Sequence, residues 1–124
     1  MGSENFPLAL VVEDDSEQQN IFSQAVKMAG YTVEAIGDGA AAMKRLDEVV
    51  PALVVLDLHL PTVSGDEILH RIRAEERLAS VSVILATADP LFAKSLSAES
   101  DFVLLKPISF IQLKNIATRL RGRR

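Results

Sequence analysis

The stretch Leu53–Asp57, with the sequence LVVLD, decides the fold of this chain. Its four consecutive apolar residues predict a strand that is buried on both faces, which is typical of the centre of a parallel sheet. The strand ends at a carboxylate, Asp57, and a connection that contains Pro61 and Gly65 precedes the next helical segment. Because ligands of open parallel sheets bind outside the carboxyl ends of the strands, Asp57 is a candidate site residue.

Strand-like and helix-like segments alternate along the rest of the chain. We predict strands at residues 8–12, 31–36, 53–57, 81–87 and 101–105, and helices that begin near Ser16, Ala40, Ser64, Pro90 and Ser109. Pairs with capping-box spacing open three of these helices, namely Ser16 with Gln19, Ser64 with Glu67, and Ser109 with Gln112. The alternation predicts an α/β fold, a doubly wound five-stranded parallel sheet with five helices on its two faces. The strand order does not follow from this pattern.

Apolar residues at helical spacing predict which faces of the helices are buried. In the first two helices these residues are Ile21, Phe22, Ala25, Met28 and Ala29, followed by Ala41, Met43, Leu46 and Val50. In the third and fifth helices they are Ile68, Leu69 and Ile72, followed by Ile111, Ile116 and Leu120.

Length and composition limit the classes of function. The 124 residues suit one domain, which we place at residues 6–121, with a disordered or vector-derived N-terminus at 1–5 and a basic tail at 122–124. A net charge of -4 argues against direct nucleic-acid binding. The chain has no cysteine, which excludes thiolate chemistry and agrees with a cytoplasmic location. Its apolar runs are shorter than the roughly 18 residues that membrane insertion needs.

Polar residues follow four of the five predicted strands. Glu13 and Asp14 follow the first strand, Asp57 ends the third, Thr87 ends the fourth and Lys106 follows the fifth. Each residue alone is typical of a turn, a helix cap or the surface. Since the carboxyl ends of parallel strands share one edge, we expect three carboxylates, a hydroxyl and an ammonium group to meet there.

The expected cluster of carboxylates needs a counter-charge. Two like charges roughly 5 Å apart, at an effective dielectric constant near 20, repel by about 3 kcal/mol. Lys106 supplies one positive charge, and a divalent cation would supply more. Hard oxygen ligands favour Mg²⁺, with Asp14 and Asp57 as direct ligands and Glu13 acting through water. Zinc is disfavoured because His59 is the one histidine near these residues and cysteine is absent.

The same groups suit phosphoryl transfer. A carboxylate can act as the nucleophile and become an acyl phosphate. A metal ion and a lysine can neutralise the oxygens of the transferred group, and a hydroxyl can donate a hydrogen bond to one of them.

Four segments of the chain also match a known family. They are Leu10–Asp15, Leu56–Pro61 with Ser64 and Gly65, Ala86–Ala88, and Lys106 with Pro107. From about Leu8 to Leu120 the chain resembles the receiver domain of bacterial two-component response regulators. The resemblance implies a flavodoxin-like sheet of order 2-1-3-4-5 and a cis peptide bond between Lys106 and Pro107.

The resemblance also implies a role for each candidate residue. Asp57 would be the phosphoacceptor, and its phosphoryl group would come from a histidine kinase or a histidine phosphotransfer protein. Mg²⁺ would be held by Glu13, Asp14, Asp57 and the backbone carbonyl of His59. Thr87 would be the switch hydroxyl and Lys106 the lysine that contacts the phosphoryl group. Such a domain promotes its own phosphorylation and dephosphorylation and is not a classical enzyme.

The chain departs from the family pattern near its fourth and fifth strands. The family usually has Tyr or Phe three residues before the lysine, as the rotating partner of the switch hydroxyl, whereas this chain has Val103. Phe102 is one residue off and is expected on the opposite face of the strand. The interval from Thr87 to Lys106 is about one helical turn shorter than the family pattern. We therefore expect a short or shifted fourth helix, and a switch that works without the aromatic or uses a different surface.

Three other functions fit the fold. A pseudo-receiver would bind partners without being phosphorylated. A Mg²⁺-dependent phosphohydrolase would turn over an aspartyl phosphate, but such enzymes commonly place a second Asp where this chain has His59. A flavin-binding protein would need a Ser/Thr/Gly-rich phosphate cradle after the first strand, where this chain is acidic. The downstream effector is not encoded in the pattern, and a homodimer through the fourth and fifth elements is one assembly known in the family.

Overall fold

The computed structural model describes residues 6–122, and the N-terminal segment 1–5 and the tail residues 123–124 lie outside them. Five strands alternate with five helices, as the sequence predicts. The strands are β1 (Leu8–Val12), β2 (Thr32–Ile36), β3 (Leu53–Asp57), β4 (Ser82–Thr87) and β5 (Phe102–Leu105). The helices are α1 (Ser16–Met28), α2 (Gly39–Glu48), α3 (Gly65–Ala74), α4 (Pro90–Leu96) and α5 (Phe110–Gly122).

The strands form one parallel sheet in the order β2-β1-β3-β4-β5, which confirms the order that the family resemblance implies. All five residues of β3 are buried, and β3 pairs with β1 on one side and β4 on the other. The LVVLD stretch is therefore the central strand. Its register places Leu56 beside Val12 and Asp57 beside Ala86, so the ends of β1, β3 and β4 are level.

Two apolar layers cover the sheet, because successive side chains of a strand point to opposite faces. Ala9, Val11, Val55 and Ile84 face α1 and α5 in one layer. Leu10, Val12, Val54 and Leu56 face α2, α3 and α4 in the other. With both faces covered, the sheet leaves only its edges for chemistry.

Five of the residues that we predicted on buried helix faces are exposed. Met28 and Ile111 are 62% and 67% exposed, and Ile21, Ala41 and Val50 are exposed as well. The observed inward faces follow the same 3.6-residue period but are turned slightly about the helix axis. They comprise Phe22, Ala25, Val26 and Ala29 in α1, Ala42 and Leu46 in α2, and Leu113, Ile116, Ala117 and Leu120 in α5. In α3, Ile68, Leu69 and Ile72 are buried as predicted.

Only one of the predicted capping boxes forms its serine hydrogen bond. The Ser109 hydroxyl accepts from the Gln112 backbone N–H at 3.2 Å. α1 is instead capped by Asp15, whose carboxylate accepts from Gln18 N–H at 2.8 Å. Ser64 does precede α3, but its hydroxyl bonds to the side chains of Asp66 and Glu67 and not to the helix backbone. A nearby carboxylate is a stronger acceptor than a serine hydroxyl, which explains both exceptions.

The fourth helix is short, as expected. α4 has seven residues and continues as a 3-10 turn at Ser97–Glu99 before β5. The Arg73 side chain of α3 fixes this turn by donating to the Glu99 carbonyl at 2.6 Å, the Val81 carbonyl at 2.8 Å and the Asp101 carboxylate at 3.2 Å. Within residues 6–122, the helices are too short or too polar to cross a membrane.

Candidate functional site

Three acidic side chains meet at the carboxyl edge of the sheet. Glu13 follows β1 and is held by its own backbone N–H, which donates to the Ile36 carbonyl of β2 at 3.0 Å. Asp57 ends β3. One oxygen from each of Glu13, Asp14 and Asp57 lies within 4.8 Å of the others. Glu13 and Asp57 are 1% and 3% exposed, whereas Asp14 is open to solvent. The sequence prediction that these carboxylates converge is confirmed.

Lys106 reaches this cluster from the far side of the sheet. Its backbone N–H donates to the Thr87 carbonyl at 2.8 Å, which anchors the end of β5 beside the end of β4. The side chain then places Nζ 3.0 Å from Oε1 of Glu13 and 3.4 Å from Oδ1 of Asp57. The peptide bond between Lys106 and Pro107 is cis, as the family resemblance implies.

The electrostatics of the site shift the pKa values of two groups. Burial raises the pKa of Glu13 above its ordinary value, and the nearby Asp57 charge adds to the rise, while the Asp15 backbone N–H and Lys106 oppose it. Burial alone would lower the pKa of Lys106, but the hydrogen bond that Lys106 donates to Glu13 and the charges of Asp57 and Glu13 outweigh it, so this pKa is raised. Lys106 is therefore protonated, and its single positive charge faces the two carboxylates of Glu13 and Asp57.

Thr87 ends β4 with its side chain fully buried. Its hydroxyl oxygen accepts from the Asp89 backbone N–H at 3.1 Å. Asp89 in turn caps α4, because its carboxylate accepts from the N–H groups of Leu91 at 3.1 Å and Phe92 at 3.2 Å. The predicted switch hydroxyl is thus joined by two hydrogen-bonded steps to the first turn of α4.

The loop after β3 folds back onto the end of that strand. The His59 backbone N–H donates to Oδ1 of Asp57 at 3.3 Å, and the Gly65 N–H donates to the Leu58 carbonyl at 3.1 Å. A Cβ atom at Gly65 would lie 2.3 Å from the Asp57 carbonyl oxygen, so this close approach requires glycine. The role of the His59 carbonyl as a metal ligand stays a prediction.

Sequence reasoning missed three residues beside the site. The Gln19 amide donates to the Glu13 carbonyl at 2.9 Å, Asp89 caps α4, and the Phe92 ring lies 5.8 Å from the His59 ring. The pair Asp89–Pro90 carries a recognisable helix-start signal, an N-cap residue followed by proline at the first helical position. The Gln19 bond spans six positions and joins the start of α1 to the end of β1, whereas the His59–Phe92 contact joins two distant segments and leaves no local signal.

Phe102 and Val103, where the chain departs from the family pattern, pack into opposite apolar layers of the sheet. Phe102 packs against the α1/α5 layer, with the Arg119 guanidinium 5.8 Å from its ring centroid. Val103 packs against the α2/α3/α4 layer and lines an apolar depression of about 270 Å³ together with Pro90, Ala93, Lys94, Ser97 and Leu105. The prediction that Phe102 points away from the α4 side of β5 is confirmed.

A sequence model of response regulator receiver domains matches residues 9–118. The probable methanogenesis regulatory protein FilR2 of Methanothrix harundinacea is 33% identical over 92% of this chain and 81% of its own length. The transcriptional regulatory protein TrcR of Mycobacterium tuberculosis is 34% identical over 91% of this chain, which spans only 43% of TrcR. The receiver domain of the sensor histidine kinase PA1611 from Pseudomonas aeruginosa has a magnesium ion in its active-site cleft. It is 27% identical, with a TM-score of 0.83 over 95% of this chain and 99% of that chain.

Proposed function

Because the chain belongs to the family of response regulator receiver domains of two-component systems, we propose that it is a signalling switch that Asp57 phosphorylation turns on. One observation carries the assignment of Asp57. Of the three clustered carboxylates, the one of Asp57 ends the central strand, and it is buried and lies 3.4 Å from Lys106. A phosphoryl group placed there would have the Lys106 ammonium group beside it, so no further cationic side chain would have to move in.

The proposed reaction moves one phosphoryl group. An Asp57 oxygen attacks the phosphorus of a phosphohistidine, the new O–P bond forms, and the N–P bond breaks to release the imidazole. Lys106 offers its ammonium group to the phosphoryl oxygens, and Thr87 can donate its hydroxyl proton to one of them. The partner that supplies the phosphoryl group is a histidine kinase or a histidine phosphotransfer protein.

The carboxylates suit Mg²⁺. Receiver domains bind Mg²⁺ at an acidic pocket, as the PA1611 neighbour does. In this chain Asp14 is exposed, and the buried Asp57 carboxylate has an oxygen within 4.8 Å of one of Asp14, so both can be direct ligands, together with the His59 carbonyl. One oxygen of Glu13 is engaged by Lys106, and Glu13 fits a contact through water. When bound, the metal would supply positive charge to the phosphoryl oxygens.

Two alternatives are less well supported. A pseudo-receiver would not be expected to keep the acidic cluster and also place Lys106 between Glu13 and Asp57. A Mg²⁺-dependent phosphohydrolase would need a second acid near the nucleophile, and the corresponding loop residue is His59, whose ring contacts Phe92. Steady release of phosphate from a monoester would favour the hydrolase.

Exposed apolar side chains lie at the carboxyl edge of the sheet. Leu91, Leu105 and Ile111 are all exposed, at 80%, 50% and 67%, and they lie at the carboxyl-edge ends of α4, β5 and α5. We propose that a downstream partner binds at these side chains. The absence of cysteine agrees with action in the cytoplasm.

A phosphodonor assay tests the acceptor. We expect acetyl phosphate with Mg²⁺ to add one phosphoryl group to the wild-type protein, read by intact mass, and to add none to Asp57→Asn. Asp15→Asn is a matched control, because Asp15 adjoins the acidic pair but caps α1 and is exposed. That variant should be labelled like the wild type. Equal labelling of Asp57→Asn would contradict the assignment.

A further inference from the structure

The family's usual aromatic coupling between the site and α4 is missing from this chain. Val103 occupies the position of the usual Tyr or Phe and borders the apolar depression beneath α4. A valine has neither a ring nor a hydroxyl with which to follow the movement of Thr87. Phe102 cannot replace it, because its ring packs in the opposite layer near Arg119. If α4 responds to Asp57, the response must reach it by another route.

A different aromatic contact does join the site to α4. The ring centroids of His59 and Phe92 lie 5.8 Å apart with the planes tilted by 56°, inside the range that favours aromatic pairs. His59 is tied to the acceptor, since its backbone N–H donates to Oδ1 of Asp57 at 3.3 Å. Phe92 lies in the first turn of α4, where its own N–H is held by Asp89. The pair therefore spans the gap between the acceptor loop and the helix.

The hydrogen bond that Thr87 accepts from Asp89 also leads to the first turn of α4. The Thr87 hydroxyl holds the Asp89 N–H, and the Asp89 carboxylate holds the N–H groups of Leu91 and Phe92. A hydroxyl that turns toward a phosphoryl group on Asp57 changes its bond to Asp89. The first turn of α4 thus receives one contact from β4 and one from the β3 loop.

α4 is an element that such contacts can move. It has only seven residues, and its buried side chains are Ala93 and Leu96. An isolated helix shorter than about 12 residues is marginal in water, so its position depends on the packing of a few side chains. The exposed Leu91 lies in the same first turn as Phe92.

We propose that the His59–Phe92 ring pair couples the phosphorylation state of Asp57 to the position of α4, in place of the Tyr or Phe that position 103 lacks. The proposal rests on the proposed function of Asp57. A phosphoryl group on Asp57 turns one carboxylate oxygen into the bridging oxygen of an acyl phosphate and changes the hydrogen bond that Asp57 accepts from the His59 N–H, which shifts the loop and its ring against Phe92. Phe92 and His59 are positioning residues here, and neither side chain contacts the reacting atoms.

Amide chemical shifts measured with beryllofluoride and Mg²⁺, a phosphate mimic, test this coupling. In the wild type we expect shifts at the amides of His59 and Leu60, which report on the loading of the site, and at Ala93 and Leu96 of α4. In Phe92→Leu the α4 shifts should be roughly halved or smaller, while the His59 and Leu60 amides still respond. Phe102→Leu, which removes the same ring from the opposite layer, should keep the full α4 response.

A double-mutant cycle separates coupling from loose packing of α4. His59→Leu should reduce the α4 response as Phe92→Leu does, and the double variant should reduce it no further than either single variant. Additive losses, or a full α4 response in Phe92→Leu, would overturn the coupling while leaving the acceptor assignment intact. A wild-type protein whose His59 and Leu60 amides ignore beryllofluoride would overturn the proposed function together with this inference.

Discussion

Lys106 Nζ lies 3.0 Å from Oε1 of Glu13 and 3.4 Å from Oδ1 of Asp57, so one ammonium group joins the end of β5 to the ends of β1 and β3. In the sheet, β4 lies between β5 and β3, and the lysine side chain reaches past it. Two buried carboxylates share this cation. Any change of charge on Asp57 therefore alters the contact between Lys106 and Glu13 as well.

We expect Lys106→Ala to bind Mg²⁺ at least as tightly as the wild type but to lose most of its response to beryllofluoride. The substitution removes a positive charge from beside the carboxylates, which favours a cation, and it also removes the group that would draw the phosphoryl oxygens toward β5. Amide shifts during a Mg²⁺ titration and after beryllofluoride addition measure both effects. Lys94→Ala, a change to an exposed lysine on α4, serves as the control. An unchanged beryllofluoride response in Lys106→Ala would contradict its assigned role.

Without metal, Asp57→Asn should be more stable than the wild type. The change removes one of the crowded carboxylates and leaves the 3.0 Å contact between Lys106 and Glu13 in place. We expect a gain of about 1–2 kcal/mol in the free energy of unfolding, which is less than the full repulsion of a like-charged pair because Lys106 already offsets part of it. Urea unfolding in the presence of a chelator measures this gain.

A matched control for that gain is Glu17→Gln, which neutralises an exposed acid in the first turn of α1. Its stability should change by no more than about 0.5 kcal/mol. Added Mg²⁺ should stabilise the wild type more than Asp57→Asn. A lower urea midpoint for metal-free Asp57→Asn would show that the cluster is not under electrostatic strain.

The raised pKa of Glu13 predicts how metal affinity depends on pH. Because the pKa of Glu13 is raised above its ordinary value of 4.5, Glu13 takes up a proton at a higher pH than a free glutamate does. Protonation removes a negative charge from the cluster, so Mg²⁺ affinity should fall as the pH drops toward this raised pKa. Glu13→Gln should bind Mg²⁺ more weakly at neutral pH and show a shallower pH dependence. A Mg²⁺ titration at several pH values measures both. Identical pH profiles for the two proteins would place the titrating group elsewhere.

The same raised pKa affects stability. Between pH 4.5 and the raised pKa, the folded protein binds more protons at Glu13 than the unfolded chain does. The contribution of Glu13 to stability therefore decreases as the pH rises through this window. In the metal-free protein, Glu13→Gln should flatten this part of the stability profile. A profile that keeps its full slope in Glu13→Gln would contradict this assignment.

Gly65→Ala should disturb the acceptor strand directly. The added Cβ would lie 2.3 Å from the Asp57 carbonyl oxygen and 2.7 Å from Leu58 Cα, so the backbone must move. We expect a loss of about 1–3 kcal/mol in the free energy of unfolding and slower labelling by acetyl phosphate. The control is Gly122→Ala, where nothing lies within 4 Å of the new atom and helix propensity favours alanine. Equal stabilities of these two variants would contradict the close approach at Gly65.

The convergence of the site could be predicted because it needs only one geometric fact. Parallel strands open their carboxyl ends on the same edge, so Glu13, Asp57 and Lys106 meet although the first and last are 93 positions apart. The strand order came from the family resemblance, since alternation of strands and helices is compatible with several orders. The short α4 was expected from the reduced interval between Thr87 and Lys106.

Other features could not be predicted because the local pattern either fits two residues equally well or does not encode the tertiary contact. The His59–Phe92 contact arises because the loop after β3 and the first turn of α4 meet at the carboxyl edge of the sheet. The cap of α1 falls on Asp15 and not on Ser16, because two good capping residues stand side by side and the carboxylate reaches the helix N–H groups. Met28 satisfies an apolar pattern in the sequence but lies beyond the stripe that α1 presents to β1 and α5.

Chemical trapping of the acyl phosphate tests the central claim most directly. The protein is treated with acetyl phosphate and Mg²⁺, reduced with borohydride, and digested, and the modified position is read by peptide mass spectrometry. We expect reduction of the aspartyl phosphate to convert position 57 to homoserine, with Asp14 and Glu13 unmodified. Trapped product at Asp14 or Glu13, or none at position 57 in protein whose intact mass shows labelling, would contradict the account.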